Sequence, residues 1–489
     1  MTKHSMAKLA CAALSICFVH DVASAQTIYG PGASATGAQS TAIGENANAS
    51  GDGGTALGYG SSAIGNWQTT AIGTNASAVG DGSTAVGGTA NAGGRDSIAI
   101  GNNSSSAGIY GTAVGSGASA DGTGSVSVGS GSNATGFRGI AIGDNAAAAG
   151  GSSIAQGAFA SATADYANAI GQASQATAVG ASAYGSGATA SGVSASAFGD
   201  GALASGASAT ATGNYAGASG AQAAAYGYNA KAVGDQSTSL GQSSNALGVE
   251  SIAVGSGANA TDVGSTAIGS NALSSGTYGS AMGYGASASG AQSTAFGYAA
   301  SAAGASSAAF GANSSAAADN SVGLGANSAA NRGAMSGYQA AYLSAPQNSV
   351  GEVSVGSAGA ERQITNVAAG SAGTDAVNVN QLNGAVNGIN NNIGNLSNSI
   401  NQLGAELADT KDLAKAAGSL GLAAAQIRYD DRPGKLSLGL GGGLYEGETA
   451  AIVGLGYTSV DQFWRANISG GVSRNSNAGG GAGVSFTLN

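Results

Sequence analysis

The side chains that usually do chemistry are almost missing from this chain. Its only histidines, His4 and His20, and its only cysteines, Cys11 and Cys17, all fall close to the start. Lys3 and Lys8, an apolar run from Leu9 to Val19 and then Ala23-Ser24-Ala25 form the three-part pattern of a secretory signal peptide, with cleavage expected between Ala25 and Gln26. The apolar run is about half of the roughly 20 residues that a membrane-spanning helix needs. Once residues 1–25 are removed, no imidazole base, thiolate nucleophile or Cys/His metal ligand is left. Carboxylates remain. Glycosidase-type chemistry would need two of them within about 10 Å in one cleft, yet acids such as Asp144, Asp200 and Asp235 recur singly at turn-like positions. The expectation is a protein that is not an enzyme and holds neither metal nor cofactor.

Other ligand chemistries are equally thin. With 88 glycines, Gly-x-Gly matches to nucleotide loops arise by chance, and none sits between a strand and a helix with a lysine. Asp52-Gly53 and Asp121-Gly122 look like calcium-binding nonapeptides, but the spacing here is fourteen, not nine. A formal charge of −10 with sparse Lys and Arg leaves no basic patch, which excludes nucleic acid as a partner. The candidate ligand contacts are aromatic: Tyr59, Tyr228, Tyr284 and Tyr298, each directly after a repeat glycine. Alternation places them opposite the apolar row described next, where they either meet a ligand or cover neighbouring coils.

The elements that would carry these tyrosines are repeats of fourteen residues. The register runs Gly30, Gly44, Gly58, then Gly73 after a one-residue insertion, and continues without a slip to Gly325, giving twenty-two in-phase glycines. The residue before the glycine is apolar in twenty of them, Gln156 and Thr212 being the exceptions. Short alternating segments bounded by glycine suit two strands per unit joined by tight turns, not helices. Stacked units make a solenoid, because one coil alone cannot bury its apolar row. The small Ala and Ser positions imply a narrow cross-section or close packing against a neighbouring chain.

After Pro346 the repeat breaks down, and from Val379 apolar residues recur as heptads. Val379, Val386, Ile393, Ile400 and Leu407 fill one core position, and Leu382, Ile389, Leu396 and Leu403 the other. A parallel coiled coil is predicted. From Lys435 onwards, four alternating segments have the length of transmembrane β-strands. Leu436, Leu438 and Leu440, then Val453, Leu455 and Tyr457, then Trp464 and Ile468, then Val484, Phe486 and Leu488 form an expected lipid face; the other face is small or polar. Four strands cannot close a barrel, so chains must associate. Two chains would give eight strands with no room for the helices that enter from upstream. Three give twelve strands and a lumen, which outweighs a heptad pattern that alone leans towards a dimer.

The chain resembles the trimeric autotransporter adhesins of the YadA-like kind over essentially its whole length. Val353-Ser354-Val355-Gly356, Glu361 to Gly370 and Thr374 to Leu382 are close to that family's neck motif, and the last sixty residues look like its membrane anchor. It departs from the pattern in ending Phe486-Thr487-Leu488-Asn489 instead of on an aromatic residue. The resemblance implies a left-handed parallel β-roll head (26–345), a neck (346–382), a trimeric coiled-coil stalk (383–428) and a β-barrel anchor (429–489) of twelve strands, four from each of three chains. It further implies a homotrimer in the outer membrane of a Gram-negative bacterium, whose barrel assists export of its own head. At the cell surface that head would bind host matrix or cell-surface molecules, or other cells. The alternative is a passive spacer or coat without a specific ligand.

Overall fold

The computed structural model describes residues 26 to 488; the expected signal peptide, with Ala25 of its cleavage junction, lies outside them. Two units are present, one ending at Arg362 and one beginning at Gln363.

The first unit is a parallel β-solenoid. Each fourteen-residue coil contributes a three-residue strand, such as Ser196–Phe198, and a two-residue strand, such as Leu203–Ala204. Strands of one kind stack in register on those of the coils before and after, so Ser196, Ala197 and Phe198 pair with Thr210, Ala211 and Thr212. Two parallel sheets result. The repeat glycine turns the chain between them. At Gly199 the backbone has φ +135°, a conformation that only glycine adopts without strain, and an added Cβ would lie 2.4 Å from the Gly213 carbonyl oxygen.

The interior is made of methyl groups and little else. In one coil, Ala188, Ala190, Ala195 and Ala197 are fully buried, and the same positions recur mostly as Ala or Ser along the axis, with Thr69 and a few glycines such as Gly111 and Gly139 in their place. The apolar row predicted from the sequence is elsewhere. Leu57, Phe198, Tyr226, Leu240, Phe296 and Leu324 are exposed on the outer surface. The reason is geometric. In a three-residue strand only the middle side chain points inward, and the cross-section is too narrow for anything larger than Ala, Ser or Thr. Each inward methyl contributes about 0.8 kcal/mol, against about 1–2 kcal/mol of backbone entropy per ordered residue. The interior alone therefore cannot hold a coil; the hydrogen-bonded stack and the cover of the outer apolar column must supply the rest.

The solenoid ends on a detour. The strand Val322–Leu324 pairs not with a segment fourteen residues on but with Val353–Ser354, after an excursion that holds the hairpin Met335–Tyr338 and Gln347–Ser349.

In the second unit a helix runs from Val379 to Ala425. Its start is fixed by a capping box: the Asn378 side chain accepts from the Gln381 backbone N–H at 3.0 Å, and the Gln381 side chain accepts from the Asn378 N–H at 3.3 Å. The antiparallel strands Leu436–Tyr445, Glu448–Thr458, Trp464–Ser473 and Ala478–Phe486 follow as one sheet in sequence order. Ala423, Ala450 and Ile452 form their shared core with Leu420 and Ile427.

Candidate functional site

Every part of the chain presents an apolar surface that one copy leaves open. On the head it is the column of residues before the repeat glycines, flanked on the same face by Thr41, Thr55, Thr70 and their equivalents. The face carrying the two-residue strands is more polar, with Ser62, Ser77, Asn91 and Ser105 pointing out, although Leu203 on one of these strands is exposed as well. On the helix, Val379, Leu382, Val386, Ile389, Ile393, Leu396, Ile400, Leu403 and Leu407 form a continuous seam, 45–70% exposed. A helix whose other faces are Asn- and Gly-rich is not stabilised by a bare seam, so that seam calls for partner helices.

On the sheet, the register sets Leu436, Tyr457, Ala466 and Val484 in one row and Leu438, Leu455, Ile468 and Ala482 in the next. Leu440, Val453, Phe486 and Leu488 share that outward face and are exposed. Tyr457 and Trp464 are less so, because their rings tilt against each other at 5.5 Å. The opposite face is lined by glycine and covered by the end of the helix. A Cβ at Gly441 would lie 2.0 Å from the Ala423 carbonyl oxygen, and at Gly456 2.4 Å from the Tyr429 ring. Arg465, on the same side, is paired with Asp431 at 2.7 Å. Among the described residues no helix is long and apolar enough to cross a membrane.

The four candidate tyrosines do not sit opposite the apolar column. Tyr59, Tyr228, Tyr284 and Tyr298 lie on the turn that follows the glycine, 52–57% exposed, and Tyr284 stacks on Tyr298 with centroids 5.5 Å apart. Because the glycine itself makes the turn, the alternation that assigns faces stops there.

Five of the head's acids are structural, Asp235 among them, whereas Asp144 and Asp200 accept only from the exposed side chains of Asn145 and Asn214. At the opposite turn the carboxylates of Asp52, Asp81, Asp165, Asp235 and Asp319 each reach back one coil and accept a backbone N–H, from Ala38, Asn66, Gly151, Ala221 and Ala305, at 2.7–2.8 Å. Two arginines share that turn with aromatic partners, a feature the sequence reading overlooked; counting residue types by repeat position instead of by composition would have exposed it.

A cavity of about 600 Å³ lies where the detour rejoins the solenoid, lined by Arg332, Glu352, Glu361 and Arg362 among others. Its charges are engaged. Glu352 accepts from the Arg332 N–H at 2.7 Å and Nε at 2.9 Å, while Arg362 donates to Ser328 at 2.9 Å and to the Val355 and Ala326 carbonyls. These groups cap the last coil. The Arg332 backbone N–H, helped by its guanidinium, holds the Glu352 carboxyl below its ordinary value of 4.5. A carboxyl lowered in the folded state adds stability that is full above that ordinary value and lost as pH falls through the folded one. Thermal unfolding of the full chain should therefore be flat near neutrality and fall below about pH 4.5, and Glu352→Gln should remove part of that fall. Identical pH profiles for the two proteins would contradict this role.

A repetitive head, a heptad helix and a four-stranded sheet with one lipid-type face define a surface protein of the autotransporter class. Comparison with known proteins agrees. The YadA-like membrane anchor domain matches residues 428–488, the coiled stalk of trimeric autotransporter adhesin matches 363–405, and the YadA head domain repeat matches eleven stretches between 35 and 300. Together these take in more than half of the chain, which belongs to the trimeric autotransporter adhesins of the YadA family. It is an outer-membrane protein with its head at the cell surface. Autotransporter adhesin BtaE of Brucella suis biovar 1 is 49% identical over 88 residues, 18% of this chain and 12% of BtaE. BtaF of the same organism is 38% identical over 92 residues, 18% of this chain and 31% of BtaF, and BadA of Bartonella henselae is 41% identical over 75 residues, 15% of this chain and 2% of BadA. The chain thus spans under a third of each of these relatives. Among solved structures, a C-terminal YadA-like domain from Burkholderia pseudomallei is 36% identical and covers 22% of this chain and 54% of its own. The collagen-binding domain of Yersinia adhesin YadA is 22% identical, covering 49% and 84%. Both have a TM-score of 0.18.

Proposed function

We propose that three copies of this chain assemble into one adhesin, which exports its own head and attaches the cell to host matrix, host cells or neighbouring bacteria. One observation supports the assembly: head, helix and sheet each leave an apolar face uncovered, and a threefold arrangement covers all three in the same way. The head columns meet on the axis, the seams form a three-stranded coiled coil, and twelve strands close around three helix ends that fill the glycine-lined lumen. The domains follow the limits 26–345, 346–382, 383–428 and 429–489, with Val353–Ser354 joining neck to last coil. Attachment rests on repetition, since three heads with many like surfaces bind by avidity. The inventory of side chains supports a role without catalysis.

Deleting residues 26–345 in frame tests the reading. The anchor should still reach the outer membrane as a trimer, while attachment of cells to matrix-coated surfaces and to each other falls to background. Attachment unchanged without the head would sink it. A passive spacer would instead lose reach in proportion to the number of coils removed, with no ligand lost.

A further inference from the structure

We propose that one turn edge of the head carries a binding strip for an acidic polysaccharide, built on Arg95, Tyr110, Phe137 and Arg138. The strip rests on the adhesin reading and gives it a ligand class. Between Gly30 and Gly325 the repeats hold only three cations, Arg95, Arg138 and Lys231. Two of them lie on the same edge, each against an aromatic ring. The Arg95 guanidinium stands 5.3 Å from the centre of the Tyr110 ring and donates to its hydroxyl at 2.8 Å. That of Arg138 stands 5.0 Å from the Phe137 ring. Arg95 and Phe137 are the eighth residues after Gly87 and Gly129, and Tyr110 and Arg138 the ninth after Gly101 and Gly129. Four consecutive coils therefore place them along one line, about 14 Å long at the spacing of stacked strands.

Burial does not account for these residues. Tyr110 and Phe137 are both 54% exposed, as is the Arg95 side chain. Nor does the backbone favour them, since Tyr110 and Arg138 have φ of +60° and +55°, where Gly124 between them is the easier choice. The same turn position is left-handed in other coils too, as at Tyr166, Glu250 and Tyr278, so what sets these coils apart is the pairing of each arginine with a ring.

The chemistry narrows the ligand. A guanidinium offers a planar fork to carboxylate or sulfate, and an exposed ring offers a flat apolar face to the C–H side of a sugar. A peptide strand is disfavoured because the edge has no free ladder: the N–H groups of Tyr110, Gly124 and Arg138 already donate to Arg95, Ile109 and Thr123 of the preceding coils at 2.7–2.9 Å. Asp96, 3.6 Å from Arg95, and Asp81 one coil before it on the same turn offset the two guanidinium charges, so recognition rests on the local pairing of fork and ring, and its salt dependence should be modest. The edge is separate from the apolar column assigned to the trimer interface.

The test uses cells displaying the full-length chain, with labelled heparin, neutral dextran and polyglutamate as probes. Heparin should be retained well above both others, and Arg95→Gln with Arg138→Gln should lower that binding at least tenfold. Tyr110→Asn, which suits the left-handed turn, should lower it severalfold without changing the amount of heat-resistant trimer. Absence of heparin binding, undiminished binding by the double variant, or equal capture of dextran or polyglutamate would each overturn the strip. If heparin binding is absent while cells still attach through the head, the strip fails and the adhesin reading stands.

Discussion

Gly443→Val is expected to abolish the heat-resistant trimer in the outer membrane and to remove the head from the cell surface. Gly443 lies on the helix-facing side of the first anchor strand, where a Cβ would sit 2.1 Å from the Ser419 carbonyl oxygen and 2.6 Å from the Ala423 N–H nitrogen. Both are helix backbone and cannot swing away. Overpacking costs about 1–3 kcal/mol where side chains can adjust; here the helix itself must shift, and in a trimer three times over. The neighbouring Gly442 is the control. It faces the other way, its nearest neighbour would be the Ala450 carbonyl oxygen at 3.9 Å, and Gly442→Ala should leave the trimer intact. Heated and unheated outer-membrane fractions on denaturing gels, with antibody to the head on intact cells, give the answer. A normal trimer from Gly443→Val would mean that the helix does not occupy that face.

Placing carboxylates on the apolar column should separate the heads while sparing the anchor. Leu240 and Ile268 are exposed on a single chain, and each is worth about 1.5–3 kcal/mol when fully covered. Aspartate at both positions forfeits that gain and brings like charges together near the axis, where desolvation adds to the cost. Leu240→Asp with Ile268→Asp should lower the thermal midpoint of the head by many degrees and open it to proteinase K. Ser205→Asp with Ser289→Asp, on the polar face, should do neither. If the column variant melted with the wild type, the heads would have to meet through another surface.

The period of fourteen makes the solenoid readable in the sequence, because one repeat is one coil. What it could not supply was the inside. Alternation tells which residues share a face, and the small Ala and Ser positions pointed to a narrow cross-section without saying which row faces it. Size decides: the coil admits Ala42, Ala56 and Ala197 and sends their larger neighbours Leu57 and Phe198 outward. The heptads and the glycine face of the anchor were legible because both patterns answer to a partner helix. The last coil was not, since a detour between Arg332 and Glu352 breaks the count of residues while leaving the pairing of Val322 with Val353 in register. The Arg95–Tyr110 pair hid for a related reason, as its partners are fifteen residues apart and join only when coils stack.

Both departures from the fourteen-residue period fall at the same corner. The single extra residue near Trp67 and the long detour after Arg332 each leave the coil between its seventh and tenth positions, and each returns with the strands on either side still paired, as Leu57 with Ile72 and Val322 with Val353. That corner is a natural graft point. A foreign peptide spliced there would be displayed at a position along the solenoid set by the coil chosen, without disturbing the strand pairing on either side.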